Sequence, residues 1–188
     1  MRVVAGSAGG LELRVPKTDL RPTMDRVRGA IFSSLGEFIA GASVLDLFAG
    51  TGGLGIEALS RGAASAVFVE NDRRALAAIE KNLAHTRLTG TLRALDIFSY
   101  LDRLAAPASF DVIFADPPYA KIPGERDFTP ELLRCESLRR ALKPGGIFIL
   151  EHLPGETLPL GDEWELIRGK RYGATAVAFL QVAHAAPA

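Results

Sequence analysis

Residues 43–61, SVLDLFAGTGGLGIEALSR, predict a buried strand, a glycine-rich turn and a helix in succession. The apolar run Val44–Phe48 is typical of a strand buried on both faces, and Gly53–Arg61 has the length and composition of a helix. Small residues between them let backbone N–H groups at a helix N-terminus approach a ligand. The turn also satisfies the G-x-G-x-x-G pattern of dinucleotide-binding proteins, with Gly50, Gly52 and Gly55. In a second interpretation, these glycines only let the helix pack tightly on the strand.

Further apolar runs alternate with helix-length segments along the rest of the chain. The other predicted strands are Ala66–Val69, Thr91–Leu95, Asp111–Ala115 and Gly146–Leu150, and the predicted helices include Arg73–Arg87 and Thr129–Leu142. This alternation predicts an α/β fold, with a mostly parallel sheet and helices on both faces. The end of the chain differs, because Trp164–Tyr172 and Thr175–Val182 flank a two-residue turn that leaves no room for a helix. We predict an antiparallel hairpin there.

The first part of the chain predicts a small β-hairpin followed by one helix. Two short apolar runs, Arg2–Ala5 and Leu11–Val15, are separated by glycine-rich residues, which favours a hairpin appendage. The helix is predicted to open at Pro22-Thr23, with Thr23 as its N-cap, and to end at Gly41. Its core face carries residues at helical spacing: Val27, Ile31, Leu35 and Phe38.

The composition is that of an ordinary soluble globular protein. Apolar residues make up 48% and charged residues 23% of the 188 residues, which excludes disordered, collagen-like and coiled-coil chains. The single cysteine, Cys135, excludes an intrachain disulfide and a cysteine-rich metal site, so we expect a core thiol and no metal. We find no signal-peptide core and no run long enough to span a bilayer, and we expect a cytoplasmic protein. The expected organisation is one domain over 1–188, with an N-terminal arm at 1–22, a core at 23–182 and a frayed tail at 183–188.

Acidic side chains follow the second and third predicted strands, at the edge where α/β sheets bind ligands. Glu70 lies about 20 residues after the glycine-rich turn, where a carboxylate can accept both hydroxyl hydrogens of a ribose. This position predicts an adenosine-containing cofactor. Asp96 is placed to accept a hydrogen bond from an adenine amino group, although it is an almost equally good N-cap for the next helix. Asp72 is interpreted as the N-cap of the helix that follows it.

The residues after the fourth predicted strand, Asp116-Pro117-Pro118-Tyr119, predict a site for an amino group. The two prolines fix the backbone and remove its N–H donors, so the Asp116 carboxylate and neighbouring carbonyls form a rigid wall of acceptors. Acceptors that hold both hydrogens of a nucleobase amine can turn its lone pair toward an electrophile. Tyr119 can stack on such a base once the base has left its helix or loop. A proline turn with a chance Asp and Tyr is the alternative.

Together these features resemble the Rossmann-like methyltransferases that use S-adenosylmethionine. The sequence is similar to the RsmD family in particular, through Arg2–Gly6, Leu20–Arg28 and Asp116–Tyr119. The resemblance implies a seven-stranded methyltransferase sheet and methylation of a guanine N2 in bacterial 16S ribosomal RNA. It implies a cofactor site made of Asp46, Phe48, Ala49, Gly50, Thr51, Gly52, Glu70, Asn71, Asp96, Ile97 and Asp116. The catalytic residues that it implies are Asp116, Pro117, Pro118 and Tyr119.

The sequence departs from the family pattern at two positions. Ala5 stands where a second glycine is usual, and Gly29 replaces an acidic residue. Neither touches the predicted chemistry, but both weaken any assignment of roles to the N-terminal arm.

The carboxylate of Asp116 favours guanine as the target base. The Watson–Crick edge of guanine offers two adjacent donors, N1–H and N2–H, whereas adenine offers an acceptor beside a donor and suits an asparagine amide better. DNA adenine methyltransferases can also carry this motif, so an adenine-N6 methyltransferase acting on DNA or RNA is the alternative. A nicotinamide-dependent oxidoreductase is supported by the glycine pattern alone. An RNA-binding assembly factor without activity is disfavoured by the intact residues at the strand ends.

The chain has no net charge, so RNA binding must depend on how its charges are distributed. Residues 1–28 contain six basic and three acidic side chains, a net charge of +3 against −3 for the remainder. We predict phosphate contacts by Arg2, Arg21, Arg26, Arg28, Lys121 and Arg171, with Arg126 and Lys170 as further candidates. Solvated surface charge is an equally good interpretation of each. The expected partner is 16S rRNA within a small-subunit particle or assembly intermediate, without a membrane, and we expect a monomer.

Overall fold

The computed structural model describes residues 1–15, 25–120 and 124–183, and its centre is a seven-stranded sheet. The strands are β1 (Ser43–Leu47), β2 (Ser65–Glu70), β3 (Thr91–Ala94), β4 (Phe110–Ala115), β5 (Leu142–His152), β6 (Trp164–Tyr172) and β7 (Thr175–Val182). They lie in the order β3-β2-β1-β4-β5-β7-β6. Strands β1 to β5 are parallel, and β7 is antiparallel to β5 and β6. The predicted mostly parallel sheet and its C-terminal hairpin are confirmed.

Helices cover both faces of the sheet. They are α1 (Asp25–Leu35), continued by a 3-10 helix at Gly36–Ile39, then α2 (Gly53–Ser60), α3 (Arg73–Thr86), α4 (Ile97–Arg103), α5 (Phe128–Arg134) and α6 (Glu136–Ala141). On what we call the α1–α3 face, the core is built from side chains such as Phe32, Ile56 and Ile79. On the α4–α6 face it is built from side chains such as Leu101, Leu132 and Leu138. Among the described residues, no helix has the length and apolar character needed to cross a membrane.

The N-terminal hairpin is present, and it packs into the core. An antiparallel bridge pairs Arg2 with Glu12, and Val3 N donates a hydrogen bond of 2.9 Å to the Leu11 carbonyl. Val3 and Leu13 are only 1% and 5% exposed. The hairpin therefore contributes apolar side chains to the α1–α3 face.

Helix α2 holds this hairpin through its polar side chains. Val4 N and Ala5 N donate to the Glu57 carboxylate at 2.7 and 3.1 Å. Gly6 has a φ of +85°, and a Cβ placed on it would lie 1.9 Å from the Ser60 carbonyl oxygen, so only glycine fits this close approach. The predicted appendage is thus a tightly bound part of the core.

Helix α1 ends earlier than the periodicity predicts. After Leu35 the chain tightens into the 3-10 helix, where Gly36 has a φ of +54°. This turn changes which side chain faces the core. Phe38, predicted to be buried, is 43% exposed, while Ile39 is 3% exposed. The predicted N-cap, Thr23, lies outside the described residues.

The predicted helix at Thr129–Leu142 is two helices, α5 and α6, with extended backbone at Cys135 between them. Leu142 already belongs to β5, where it pairs with Phe110 before the register shifts. The strand β5 therefore begins four residues before its predicted start at Gly146. Cys135 packs against the core of the α4–α6 face, and burial raises the pKa of its thiol. This position agrees with the predicted core thiol.

Candidate active site at the carboxyl edge of the sheet

The turn between β1 and α2 uses its glycines in two different ways. Gly50 and Gly52 have φ values of +55° and +80°, a conformation that side chains with a Cβ rarely adopt. A Cβ on Gly50 would meet only the Phe48 carbonyl oxygen, 3.8 Å away, so this side of the turn is open. A Cβ on Gly55 would lie 2.3 Å from the Phe68 ring, so Gly55 lets α2 pack on β2. The packing interpretation therefore holds at Gly55, and the approach of a ligand at Gly50 stays a prediction that the open side of the turn allows.

Glu70, at the end of β2, stabilises this turn through hydrogen bonds to backbone N–H groups. Its Oε2 accepts a hydrogen bond of 2.8 Å from Gly50 N, and its Oε1 accepts bonds from Asn71 N and Asp72 N at 2.8 and 2.9 Å. A carboxylate offers about four acceptor sites, so Glu70 keeps capacity for a ligand hydroxyl. The contact with a ribose stays a prediction that this geometry allows.

Three carboxylates lie near one another at this edge: Asp46 on β1, Glu70 at the end of β2, and Asp116 directly after β4. Asp46 is 1% exposed, and its Oδ2 accepts a hydrogen bond of 2.8 Å from Gly55 N. Burial raises the pKa of Asp46 well above its usual range; the bond from Gly55 opposes this, and the nearby charges of Asp116 and Glu70 add to it. Such a cluster favours a positively charged ligand. Within residues 1–15, 25–120 and 124–183, no group of acidic, histidine and cysteine side chains could hold a metal ion.

Two further acidic side chains cap helices. Asp72 accepts hydrogen bonds from Arg74 N and Ala75 N at 2.7 and 2.8 Å, which confirms its interpretation as the N-cap of α3. Asp96 Oδ1 accepts bonds of 3.1 and 3.0 Å from Phe98 N and Ser99 N in the first turn of α4. Because Asp96 is exposed, a contact with adenine is compatible with this capping role and stays a prediction.

An aromatic wall that the sequence did not predict adjoins the turn. It consists of Phe48, Phe98 and Phe128. The Phe48 and Phe128 rings meet edge to face, with centroids 5.0 Å apart. The Arg126 guanidinium lies 4.6 Å from the Phe128 centroid and 5.2 Å from that of Phe98. Arg126 also forms an ion pair of 2.7 Å with Glu131, so the charge of this RNA-binding candidate is compensated.

Tyr119 is held by the last strands of the sheet. Its hydroxyl lies 2.7 Å from Thr175 Oγ1 and 3.3 Å from Glu151 Oε1, and the Thr175 hydroxyl donates to the same Glu151 oxygen at 2.8 Å. Burial raises the pKa of Tyr119, and the charges of Glu151 and Asp116 raise it further, against the effect of the hydrogen bond between Tyr119 and Thr175. The phenol therefore stays neutral, and its ring is fixed beside Asp116.

Sequence reasoning missed Glu151 and Thr175. A signal for Glu151 existed, because it directly follows the predicted strand Gly146–Leu150 and precedes the last residue of β5, so the strand-end rule applies to it as it does to Glu70. In the Asp116–Tyr119 motif itself, Pro117 is buried and Pro118 exposed, with Asp116 half-buried between β4 and the prolines.

The structure corrects one predicted RNA contact. Arg28 is fully buried and forms ion pairs with Asp25 at 2.8 Å and with Glu57 at 3.5 Å. A guanidinium in this position compensates the buried Glu57 that holds the hairpin, and it cannot reach a phosphate. The other described candidates are exposed, namely Arg2, Arg26 and Arg171. Arg21 and Lys121 lie outside the described residues.

Comparisons with known proteins agree with this fold. The family model described as "Conserved hypothetical protein 95" matches residues 1–181. "Ribosomal RNA small subunit methyltransferase D" of Haemophilus influenzae is 34% identical over 185 residues, which cover 96% of this chain and 93% of that protein. The protein of the same name from Escherichia coli K12 is 41% identical over 124 residues, which cover 64% of this chain and 61% of that protein.

A solved structure from Thermus thermophilus, described as a hypothetical protein, superposes on this chain with a TM-score of 0.80 and 31% identity. The superposition covers 97% of this chain and 99% of that one. With the glycine turn, the carboxylates at the strand ends and the Asp116–Tyr119 motif on one edge of the sheet, the chain belongs to the RsmD family of Rossmann-like methyltransferases.

Proposed function

We propose that this protein transfers a methyl group from S-adenosylmethionine to the exocyclic N2 of a guanine in 16S ribosomal RNA. The observation that carries the proposal is the rigid acceptor wall at Asp116-Pro117-Pro118, which follows β4 beside the glycine turn. The family and the names of the Haemophilus influenzae and Escherichia coli relatives support methylation of small-subunit rRNA. We expect a small-subunit particle or assembly intermediate as the partner and a monomeric enzyme in the cytoplasm.

The residues around the turn fit an adenosine cofactor that carries a positive charge. The open side of Gly50 and the remaining acceptor capacity of Glu70 suit a ribose. The aromatic wall supplies apolar surface next to Asp96, which suits an adenine ring. When bound, the cofactor supplies an electrophilic methyl group on a positively charged sulfur, and the carboxylates at this edge favour that charge.

In this proposal Asp116 orients the amine of guanine. Its carboxylate and a neighbouring proline carbonyl accept the two N2 hydrogens, which turns the nitrogen lone pair toward the methyl group. The nitrogen–carbon bond forms as the carbon–sulfur bond breaks. The amine is too weak an acid to lose a proton beforehand, so the proton leaves N2 during or after attack, with the Asp116 carboxylate as the adjacent acceptor.

Tyr119 supplies a fixed stacking surface for the extruded base. Its hydroxyl is anchored to Thr175 and Glu151, so its ring has little freedom to rotate away from Asp116. An aromatic ring that is already ordered loses little conformational entropy when a base stacks on it. The two donors on the guanine edge match the acceptors at Asp116, which favours guanine over adenine.

The test is to incubate the protein with labelled S-adenosylmethionine and small-subunit particles that lack the modification, and then to map the label by nuclease digestion and mass spectrometry. We expect label on N2 of one guanine in 16S rRNA. Label on N6 of an adenine would replace the guanine proposal with the adenine alternative. Absence of methyl transfer together with NAD-dependent redox activity would overturn both.

A further inference from the structure

The edge strand β6 carries a row of exposed cations. Arg168, Lys170 and Arg171 are all exposed, and the one acidic residue of the strand, Glu165, lies near its other end. Charged side chains on an edge strand can simply prevent pairing with another sheet. Protection of an edge strand would not require the cations to lie on one face of the sheet. It would also not require them to lie next to cations of another helix or strand.

Two of these cations project on the α1–α3 face. Lys170 pairs with Val177 and Arg168 pairs with Phe179 on β7. Val177 and Phe179 both belong to the core of that face, and directly paired residues of antiparallel strands point to the same side. In agreement, Lys170 Nζ donates a hydrogen bond of 3.3 Å to Ser34 Oγ on α1.

A third cation joins them from α1. Tyr172, at the end of β6, interacts electrostatically with both Arg168 and Arg26; burial raises the pKa of its phenol, and these two cations oppose that effect. Arg26 is exposed and therefore accessible to a partner. We call Arg26, Arg168 and Lys170 the β6–α1 basic face.

No carboxylate compensates the β6–α1 basic face within the described part of the chain. None of its three cations takes part in an ion pair there. Other cations are paired, for example Arg126 with Glu131 and Lys143 with Asp111. Neighbouring like charges repel each other, so this face gains from binding an anion.

The basic face is continuous with the proposed active site. Tyr172 pairs with Thr175 across the β6–β7 turn, and Thr175 holds the hydroxyl of Tyr119. Adjacent strands lie about 4.8 Å apart, so the cations begin close to the ring that would stack on the target base.

We propose that the β6–α1 basic face binds the phosphates of the RNA strand on one side of the extruded nucleotide. The occupant is a polyanion with regularly spaced charges, which a row of exposed guanidinium and ammonium groups recognises without reading its sequence. This inference rests on the proposed function and adds to it the surface that holds the substrate next to the base.

The test compares three variants of the full chain. Arg168→Ala/Lys170→Ala removes two cations of the face, and Arg168→Lys/Lys170→Arg keeps both charges. The matched control is Arg93→Ala/Arg103→Ala, which removes two exposed cations from β3, at the opposite edge of the sheet, and from the end of α4. RNA affinity is measured over a range of salt concentrations, together with S-adenosylhomocysteine affinity and turnover at saturating RNA.

We expect the alanine variant of the face to bind RNA about tenfold or more weakly at low salt and to lower the salt slope by about 1.5 units, as for two lost phosphate contacts. The charge-preserving variant and the matched control should bind like the wild type. Cofactor affinity and saturating turnover should hardly change. A slope and affinity equal to those of the control would overturn the inference. If the alanine variant loses RNA affinity as expected but the wild type transfers no methyl group, the proposed function is overturned and the inference about the basic face still holds.

Discussion

At the scale of single residues, the proposed reaction depends most on Asp116. Asp116→Ala should lower turnover by about 10²- to 10⁴-fold, the range for a positioned acid–base or electrostatic group, while S-adenosylhomocysteine affinity changes little. Asp116→Asn keeps the shape but places a donor opposite a donor of guanine, so it should also be severely impaired. Single-turnover methyl transfer on small-subunit particles measures both.

Two results would contradict this role. If Asp116→Asn methylates the native RNA at the wild-type rate, the match between the Asp116 carboxylate and the two donors of guanine is not required. Adenine would then again be a candidate target base. If Asp116→Ala folds normally but loses cofactor binding, the role of Asp116 is to bind the cofactor and not to orient the amine.

Asp46 links folding to pH. Because burial raises its pKa, the folded chain binds this proton more tightly than the unfolded chain, so the stability it contributes is present at low pH and lost as pH rises above about 4. Asp46→Asn removes the buried charge and keeps an acceptor for Gly55. The variant should therefore gain stability relative to the wild type as pH rises. Urea unfolding across pH checks this, with exposed Asp162→Asn as control; a difference independent of pH would refute it.

At the scale of elements, Asn82 joins the N-terminal hairpin to the glycine turn. This fully buried side chain on α3 accepts a hydrogen bond of 2.8 Å from Arg14 N and donates to the carbonyls of Arg14 and Thr51 at 3.1 and 3.0 Å. Asn82→Ala leaves these backbone groups without their partner, so we expect a loss of about 2 kcal/mol in unfolding free energy.

The same variant should weaken S-adenosylhomocysteine binding, because Thr51 belongs to the turn. Urea denaturation and titration calorimetry measure the two effects. Gln181→Ala, which removes one exposed hydrogen bond to a carbonyl, is the control and should cost less than about 0.5 kcal/mol. Unchanged stability of Asn82→Ala would show that the hairpin is held by its apolar side chains and Glu57 alone.

Elements were predictable where the local pattern alone determines them. The bounds of β6 and β7 follow from the sequence because a two-residue turn permits only a hairpin. Local patterns failed at Phe38, where a tightened turn changes which residue faces the core, and at Cys135 and Leu142, where extended backbone and an early strand interrupt the predicted helix. Those changes depend on neighbouring elements, and helical periodicity carries no information about them.

The residues of the candidate site were likewise predictable only where a local pattern determines their position. Asp46, Glu70 and Asp116 were predictable because the carboxyl ends of parallel strands meet at one edge. The anchoring of Tyr119 was not, because it requires β7 to lie beside β5, and strand order is absent from local patterns. Arg28 was misassigned because a sequence shows a charge without showing the buried carboxylate that pairs with it.

At the scale of the whole molecule, cofactor binding should stabilise the fold. S-adenosylhomocysteine at about 100 times its dissociation constant should add about 2.7 kcal/mol, seen as a rise of several degrees in Tm, and NAD should add nothing. Glu70→Ala should weaken this ligand by about 10- to 100-fold, since it removes charge-assisted hydrogen bonds. Exposed Glu80→Ala is the control. A rise in Tm with NAD and none with S-adenosylhomocysteine would favour the oxidoreductase alternative.

The place of β7 in the sheet determines when this sheet can be completed during synthesis of the chain. Chains fold as they emerge, N-terminal part first, yet β7 inserts between β5 and β6 although it follows both of them along the chain. Until Thr175–Val182 have left the ribosome, the edge of β5 is open to wrong partners, and Tyr119 has no Thr175 to hold it. A nascent chain that stalls before Thr175 thus carries the glycine turn and Asp116 but lacks the fixed ring beside them.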